Sequence, residues 1–156
     1  MLKDGKPLQR KPIKSASKRL KLPRTRVLKP KTISRLMKDA DSLFSIIVRN
    51  KGATDTELGR MNRCYTCGNV FEVKRLHAGH YVSRMFKATR WDFDNVRPQC
   101  YACNIYRKGD AVKFRANLIK EIGVERVEAV EAKRDEMMKL TEPFLLSLIS
   151  TFQQSK

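Results

Sequence analysis

Residues 63–110 read RCYTCGNVFEVKRLHAGHYVSRMFKATRWDFDNVRPQCYACNIYRKGD and carry all four cysteines of the chain in two Cys-x-x-Cys pairs. The pairs are Cys64/Cys67 and Cys100/Cys103, and thirty-two residues separate them. Two such pairs supply four thiolates, the complete ligand set of a closed, tetrahedral structural Zn²⁺ site. The spacing therefore predicts a structural zinc that holds the intervening residues as one unit. A purely structural or DNA-docking zinc module fits the cysteines equally well.

Polar residues between the two cysteine pairs and directly after the second pair suggest a catalytic site. Four of them are candidates: His77, His80, Asn95 and Asn104. Histidine is a suitable general base near neutral pH, and the side-chain oxygen of Asn104 suits a hard cation such as Mg²⁺. An imidazole ligand at His77 favours Mn²⁺, Co²⁺, Ni²⁺ or Zn²⁺ instead. We therefore expect a second, catalytic divalent metal, Mg²⁺ or Mn²⁺, and the alternative is that both histidines are structural.

The charge of the chain indicates a polyanionic partner. Thirty-four Lys and Arg face sixteen Asp and Glu, a net charge of +18, and nucleic acid is the usual partner of so positive a protein. Residues 1–31 hold twelve of these bases, four prolines and one acid. We expect them to form a disordered arm that contacts phosphates, the alternative being a solvated tail. The expected DNA contacts are Lys18, Arg19, Arg24 and Arg26 in the arm and Arg84, Arg97, Arg107 and Lys108 beyond it.

The hydropathy of the chain gives no indication of a membrane partner. No run reaches the roughly 18 consecutive apolar residues of a membrane helix. The basic N-terminus is not followed by the apolar stretch of a secretory signal. We therefore expect a cytoplasmic protein, and in that reducing compartment cysteines are more often metal ligands than disulfides.

Helical patterns flank the cysteine-rich region on both sides. Apolar residues at helical spacing predict a helix over 33–48 with Thr32 as its N-cap, and residues 51–62 are predicted to form a connecting loop. Further helices are expected over 110–122, 125–140 and 142–152. Residues 121–156 contain seven acids and five bases, so the C-terminal part is not expected to be the main DNA-binding surface.

The region from Cys64 to Val130 resembles the Rap or NinG recombination endonucleases of lambdoid phages. The matching sequence motifs are Cys64-x-x-Cys67-Gly68, Ala78-Gly79-His80-Tyr81, Asn95-Val-x-x-Gln99-Cys100-x-x-Cys103-Asn104, Lys108-Gly109 and Leu118-Ile-x-x-Ile122-Gly123. The layout is similar, more distantly, to phage T4 endonuclease VII, in which four cysteines bind zinc around a ββα-metal nuclease site and an Asn directly follows the last cysteine. The combination of motifs is specific for this family, although each motif alone is not.

This resemblance implies a metal-dependent endonuclease of the His-Asn-His type. His80 would be its general base, Asn104 a ligand of the divalent metal, and Asn95 the central Asn that braces the ββα loop. The family's activity implies cleavage of branched recombination intermediates, such as D-loops and Holliday junctions, to leave 5′-phosphate and 3′-hydroxyl ends. The implied partners are branched DNA and recombination proteins, in the cytoplasm of a phage's host cell.

Three positions depart from the pattern of this superfamily. Gly79 stands where many His-Asn-His sites have a carboxylate or a His directly before the base, and Asn104 stands where the last His of the motif belongs. His77 stands where related sequences carry an acid, so the first metal ligand is open among several residues. With His77 as the first choice, the candidates are His77, Asp92, Asp94 and Asp110.

Together these patterns predict an α+β, mainly helical fold with a zinc-stapled ββα-metal core flanked by helices. Residues 1–31 form the arm and residues 32–156 a single nuclease domain. The parts of that domain are a helix over 32–50, the zinc and catalytic core over 63–110 and helices over 111–156.

The leading function is a structure-selective DNA endonuclease, and the alternative is a non-catalytic zinc-containing nucleic-acid-binding protein. A sequence-specific homing or restriction enzyme ranks below both. Cutting two strands of a symmetric junction would favour a homodimer.

Overall fold

The first helix, α1, spans Ile33–Asn50 in a computed structural model that describes residues 31–155. The hydroxyl of Thr32 caps this helix by accepting a hydrogen bond from the backbone N–H of Arg35 at 3.3 Å. Every fourth residue along one face is buried, namely Leu36, Ala40, Phe44 and Val48. Residues four apart lie on the same side of a helix, so this face packs on the rest of the fold. The prediction of a helix here is confirmed.

A three-stranded antiparallel sheet follows α1. Its strands, in the order β1-β2-β3, are β1 (Thr54–Thr56), β2 (Gly59–Arg63) and β3 (Val70–Glu72). The Thr56 hydroxyl closes the first turn by donating to the Gly59 carbonyl at 2.8 Å. Gly59 has a φ of +105°, which favours glycine. The prediction of a loop over 51–62 is therefore wrong. These strands are largely exposed and lack the alternation of apolar residues that identifies a half-buried strand.

A second antiparallel pair, β4 (Leu76–His80) and β5 (Val96–Cys100), forms the centre of the fold. Leu76 pairs with Cys100 at one end of the hairpin and His80 pairs with Val96 at the other. Val96 packs with Phe44 and Val48 of α1 and with Phe152 near the C-terminus. The hairpin is therefore held on α1, with the cysteines at one end and His80 at the other.

Three helices complete the described chain. They are α2 (Ala111–Ile122), α3 (Val124–Ala132) and α4 (Glu142–Gln154). The prediction of a helix over 125–140 is wrong beyond residue 132, where one 3₁₀ turn, Lys133–Asp135, leads into extended chain. Two tertiary contacts replace the helix there: Lys133 pairs with Asp92 at 2.8 Å, and the Arg134 guanidinium lies 4.8 Å from the centre of the Phe86 ring.

The fold is a mixed α+β structure, as the sequence predicts at that level. The core has two main apolar clusters outside the cysteines. One joins α1, the β4–β5 hairpin and α4, and the other joins α2 to α3 through Phe114, Leu118 and Val127. Among the described residues, no helix combines the length and apolar character that crossing a membrane requires.

Candidate metal centre and polar cleft

The four cysteines converge on one point. Their sulfur atoms all lie within 4.8 Å of one another, and the Sγ atoms of Cys67 and Cys100 are 3.9 Å apart. A tetrahedral Zn²⁺ with Zn–S bonds of about 2.3 Å places its sulfurs about 3.8 Å apart. Cys64, Cys100 and Cys103 are buried, whereas Cys67 is exposed. The cysteines are therefore placed to bind a metal ion such as zinc, as their spacing predicts.

Backbone groups prepare the sulfur of Cys64 for a cation, whereas burial raises the pKa of the Cys67 and Cys103 thiols. Burial opposes ionisation of Cys64, but backbone N–H groups of Cys100, Cys67 and Thr66 outweigh it and lower the pKa of the thiol to about 7. The N–H of Cys100 lies 3.3 Å from the Cys64 sulfur. Gly68 completes the first pair's turn with a φ of +76°. Because a thiolate is the form that binds zinc, this local geometry favours metal binding.

A cleft of about 680 Å³ runs along β4, from Leu76 to His80. It brings together three of the predicted site residues, His77, His80 and Asn104. Asn104 sits in a π-helical turn, Ala102–Tyr106, that also contains Cys103. The cleft is lined further by four charged side chains, namely Asp41, Arg49, Arg84 and Lys108. Its lining therefore combines an imidazole pair, an amide and three cations.

His80 is held as a neutral base. Its Nε2 lies 3.0 Å from the backbone carbonyl oxygen of Arg90. A carbonyl only accepts hydrogen bonds, so Nε2 carries the proton of the neutral imidazole and Nδ1 is the unprotonated nitrogen. Burial lowers the pKa of the imidazole below its usual 6.5, and the Arg84 and Arg90 cations lower it further, against the opposing effect of the backbone carbonyls. His80 is therefore neutral, and able to accept a proton, at physiological pH.

The carbonyl that holds His80 belongs to a residue anchored to α1. The Arg90 guanidinium makes two hydrogen bonds to the carboxylate of Asp41, at 2.9 Å and 2.6 Å. Its third nitrogen donates to the Arg84 carbonyl at 2.8 Å. The indole N–H of Trp91 donates to the same carboxylate at 3.0 Å. One acidic side chain on α1 thus fixes two consecutive residues behind the base.

Asn95 is fully buried and braces the segment that follows β4. Its side-chain oxygen accepts from the N–H of Val82 at 2.7 Å, and its side-chain nitrogen donates to the carbonyls of Val82 and Thr89, both at 2.9 Å. These three bonds hold the two ends of the 82–89 segment together. Because Asn95 has no exposed surface, it positions this segment and does not itself reach a substrate.

Gln99 connects the cysteine end of the hairpin with the cleft. Its side-chain nitrogen donates to the Thr66 hydroxyl at 2.5 Å and to the Gly109 carbonyl at 2.8 Å. The same side chain lies so close to β4 that a Cβ on Gly79 would come within 2.0 Å of its oxygen. With Gln99 held in this position, a side chain at position 79 would clash with it, which is consistent with the glycine that precedes His80.

Comparison with known proteins places the chain in a family. A family model described as "Bacteriophage Lambda NinG protein" matches residues 2–156. The chain belongs to the NinG family. The resemblance inferred from the sequence motifs is thereby confirmed at the level of the family.

Curated NinG relatives align with part of the chain. The ninG protein of Escherichia phage 933W is 33% identical over 73 residues, which cover 46% of this chain and 36% of the relative. That of Escherichia phage lambda is 32% identical over 73 residues, 46% of this chain and 35% of the relative. The alignments thus span about a third of the length of these relatives. No solved structure matches.

The geometry narrows the choice of a second metal ligand in this NinG-family chain. Of the four candidates, only His77 lines the cleft with Asn104. Asp92 pairs with Lys133 at 2.8 Å and Asp94 with Arg126 at 2.6 Å, while Asp110 stands at the N-terminus of α2. Across residues 31–155, the only group of three or more His, Cys, Asp or Glu that could share a metal is the cysteine cluster.

The predicted DNA-contacting residues divide into three groups. Arg84, Arg107 and Lys108 are exposed, as that role requires. Arg97 is 7% exposed and its guanidinium pairs with Glu121 at 2.9 Å, so its side chain serves the interior and not a DNA surface. The expected contacts in the arm, Lys18, Arg19, Arg24 and Arg26, lie outside the described residues.

Sequence reasoning missed two charged residues of the cleft, Asp41 and Arg49. Both belong to α1, where they flank the buried stripe and read as ordinary solvent-facing positions. The Arg49 guanidinium is fixed by the carbonyls of Ser45 at 3.1 Å and Val73 at 3.3 Å. No local pattern reports these contacts, because the cleft forms only when α1 packs on the hairpin.

Proposed function

We propose that this NinG-family chain is a metal-dependent DNA endonuclease that cleaves branched recombination intermediates such as D-loops and Holliday junctions. One observation carries the proposal: a neutral, oriented imidazole, His80, shares a cleft with His77, Asn104 and three cations. A base, metal-ligating atoms and phosphate-binding groups are the parts that phosphodiester hydrolysis requires. The preference for branched DNA rests on the family resemblance.

The residues of the cleft account for a hydrolytic step. Nδ1 of His80 takes a proton from a water molecule, and the resulting hydroxide attacks the phosphorus. The bond from phosphorus to the 3′ oxygen breaks, and the departing oxygen takes a proton from bulk water, which leaves a 5′-phosphate and a 3′-hydroxyl end. A divalent cation held by the Asn104 oxygen and a His77 nitrogen would stabilise charge on the phosphate and the leaving oxygen. A mixed oxygen and nitrogen donor pair fits Mn²⁺ and tolerates Mg²⁺.

The cations of the cleft suit a phosphate-bearing substrate. Arg49 is held in place by two backbone carbonyls, so its remaining N–H groups face the cleft at little further entropic cost. Arg84 and Lys108 are exposed at the same cleft. Charge-assisted hydrogen bonds from such groups are the strongest that a phosphate receives.

The cysteine cluster has a supporting role in this proposal. A four-thiolate zinc site is closed and leaves no position for substrate. Cys103 instead fixes the π-helical turn that presents Asn104, and Gln99 ties the first cysteine pair to Gly109 at the edge of the cleft. Structural zinc would therefore position one of the two proposed ligands of the catalytic metal.

A non-catalytic zinc-containing nucleic-acid-binding protein is the second candidate. The observation that favours it is that the cysteines form the only cluster of three or more His, Cys, Asp or Glu within residues 31–155. The one carboxylate that lines the cleft, Asp41, is already paired with Arg90. A protein of this kind would bind branched DNA through the same cations and leave it intact.

Cleavage assays on matched substrates separate the two candidates. The protein and its His80→Ala variant are incubated with a Holliday junction, a D-loop and linear duplex in Mg²⁺, Mn²⁺ or EDTA. We expect metal-dependent cutting of the branched substrates, reduced roughly 10²- to 10⁴-fold in the variant because a general base contributes about that factor. Zinc content and DNA affinity should be unchanged.

The control substitution is Arg60→Ala, which removes an exposed cation on β2 that pairs with Asp55 away from the cleft. It should cut at the parental rate. Binding without cutting in every metal would contradict the endonuclease proposal and support the second candidate. A His80→Ala variant that cuts as fast as the parent would contradict the assignment of the base.

A further inference from the structure

The peptide group between Arg90 and Trp91 is the contact that orients His80. Its carbonyl accepts the Nε2–H of His80 at 3.0 Å. The side chains on both sides of this peptide group bind one carboxylate: Arg90 through two nitrogens and Trp91 through its indole N–H. A peptide group whose two flanking residues share a single anchor has little freedom to rotate.

The anchor is remote in sequence and close in space. Asp41 lies on α1, 49 residues before Arg90 and 50 before Trp91. The side chains of Asp41 and Arg90 are 30% and 15% exposed, so the pair is shielded and bidentate. Such a pair holds its geometry more firmly than an exposed ion pair does.

An acidic side chain at the position of Asp41 does not favour the binding of a phosphate-bearing substrate in the cleft. It is the only acidic residue among those that line the cleft, and an unpaired carboxylate there would repel a phosphate. Pairing with Arg90 offsets that charge while fixing the Arg90 carbonyl. The other ion pairs of α1, those of Asp39 with Lys31 and Arg35, lie away from the cleft.

We infer that Asp41 is a positioning residue that acts through Arg90 and Trp91 to hold His80 with its proton on Nε2 and its Nδ1 lone pair available. The consequence for catalysis rests on the proposed function, whereas the consequence for the imidazole does not. Loss of the carboxylate frees the 90–91 peptide group, and the Nε2–H then exchanges with water and shares its proton with Nδ1.

The test compares Asp41→Asn with Asp39→Asn, which makes the same charge change two residues earlier on α1. NMR of ¹⁵N-labelled, zinc-loaded protein reports the imidazole N–H and the tautomer of His80 directly. We expect a protected Nε2–H signal and a single tautomer in the parent and in Asp39→Asn, and loss of that signal with mixed tautomers in Asp41→Asn. An Asp41→Asn spectrum that matches that of Asp39→Asn overturns the inference.

Cleavage kinetics give the second readout. In Asp41→Asn we expect kcat on the Holliday junction to fall roughly 10- to 100-fold, because a displaced catalytic group costs about that much. DNA affinity should not fall, since a negative charge is removed. Asp39→Asn should retain the parental kcat. An Asp41→Asn variant with parental kcat and a disturbed imidazole would show that the positioning does not matter for cutting, and it would overturn the catalytic part of the inference.

A milder variant covers the case in which Asp41→Asn does not fold. Trp91→Phe removes one of the three hydrogen bonds to the carboxylate and keeps an aromatic ring at this position. Faster exchange of the His80 Nε2–H in this variant supports the inference, and exchange at the parental rate overturns it. If the parent cuts no DNA in any metal, the endonuclease proposal fails, while the imidazole spectra still decide the role of Asp41.

Discussion

The cysteine cluster lies at one end of the β4–β5 hairpin and the polar cleft runs along β4, and the two are assembled in opposite ways. The cluster takes its four sulfurs from two short segments, each with its own local turn. The cleft takes its groups from α1, β4, the segment after β4 and residues 104–109. A site built from local turns is visible in a sequence and forms as a unit. A site built from distant segments depends on the packing that brings them together.

Disrupting the cluster should have the largest effect, because it should disable both regions. Cys103→Ser removes one of four thiolates, and structural zinc contributes a free energy on the order of 10 kcal/mol. We expect loss of bound zinc, loss of cooperative unfolding and loss of all cutting. Zinc content by mass spectrometry and thermal unfolding by circular dichroism measure these changes. His80→Ala is the matched comparison, since it should greatly reduce cutting while zinc stays bound and unfolding stays cooperative.

A substitution at the junction between the two regions should have an intermediate effect. Gly79→Ala places a Cβ within 2.0 Å of the Gln99 side-chain oxygen, and forced overpacking costs about 1–3 kcal/mol. We expect the free energy of unfolding in urea to fall by about that amount. Adding Gln99→Ala removes the clash, so the double variant should lose less stability than the sum of the single variants. Additive losses would show that the contact does not constrain the hairpin.

The smallest effect should come from pH and should involve the cleft alone. Burial lowers the pKa of His80 in the folded protein below 6.5. The neutral imidazole therefore contributes stability that is fully present above pH 6.5 and is lost as the pH falls through the lowered value. Urea unfolding of the parent and of His80→Gln between pH 8 and pH 5.5 measures this contribution. The stability difference between them should move against the parent as the pH falls, and a constant difference would show that His80 is not shielded.

The sequence could predict what depends on local spacing. The cysteine pairs and the buried stripe of α1 follow from such spacing, whereas the grouping of His77, His80 and Asn104 was expected from the family resemblance. Asp41 could not be found in this way, because its partners Arg90 and Trp91 lie 49 and 50 residues away. Arg97 was misassigned for the same reason: its partner Glu121 is on α2, and a lone Arg in a basic chain reads as a surface cation.

The predictions that failed have the same physical origin. The β1–β2 hairpin has no buried face, so its sequence lacks the alternation of apolar residues that would indicate strands. The helix α3 ends at Ala132 although the charged sequence beyond it would continue a helix. There, contacts of Lys133 and Arg134 with the core outweigh local propensity.

The bridge made by Gln99 has a bearing on when the protein becomes active. Its side chain joins Thr66, between the first two cysteines, to Gly109 beside the cleft. Zinc bound by the cysteines would hold the segment that carries Thr66, and through Gln99 one side of the cleft, more firmly in place. A newly made chain would then lack one fixed wall of the cleft until it acquires its ion. Under the proposed function, metal loading would thus act as a maturation step that limits DNA cutting until the ion is bound.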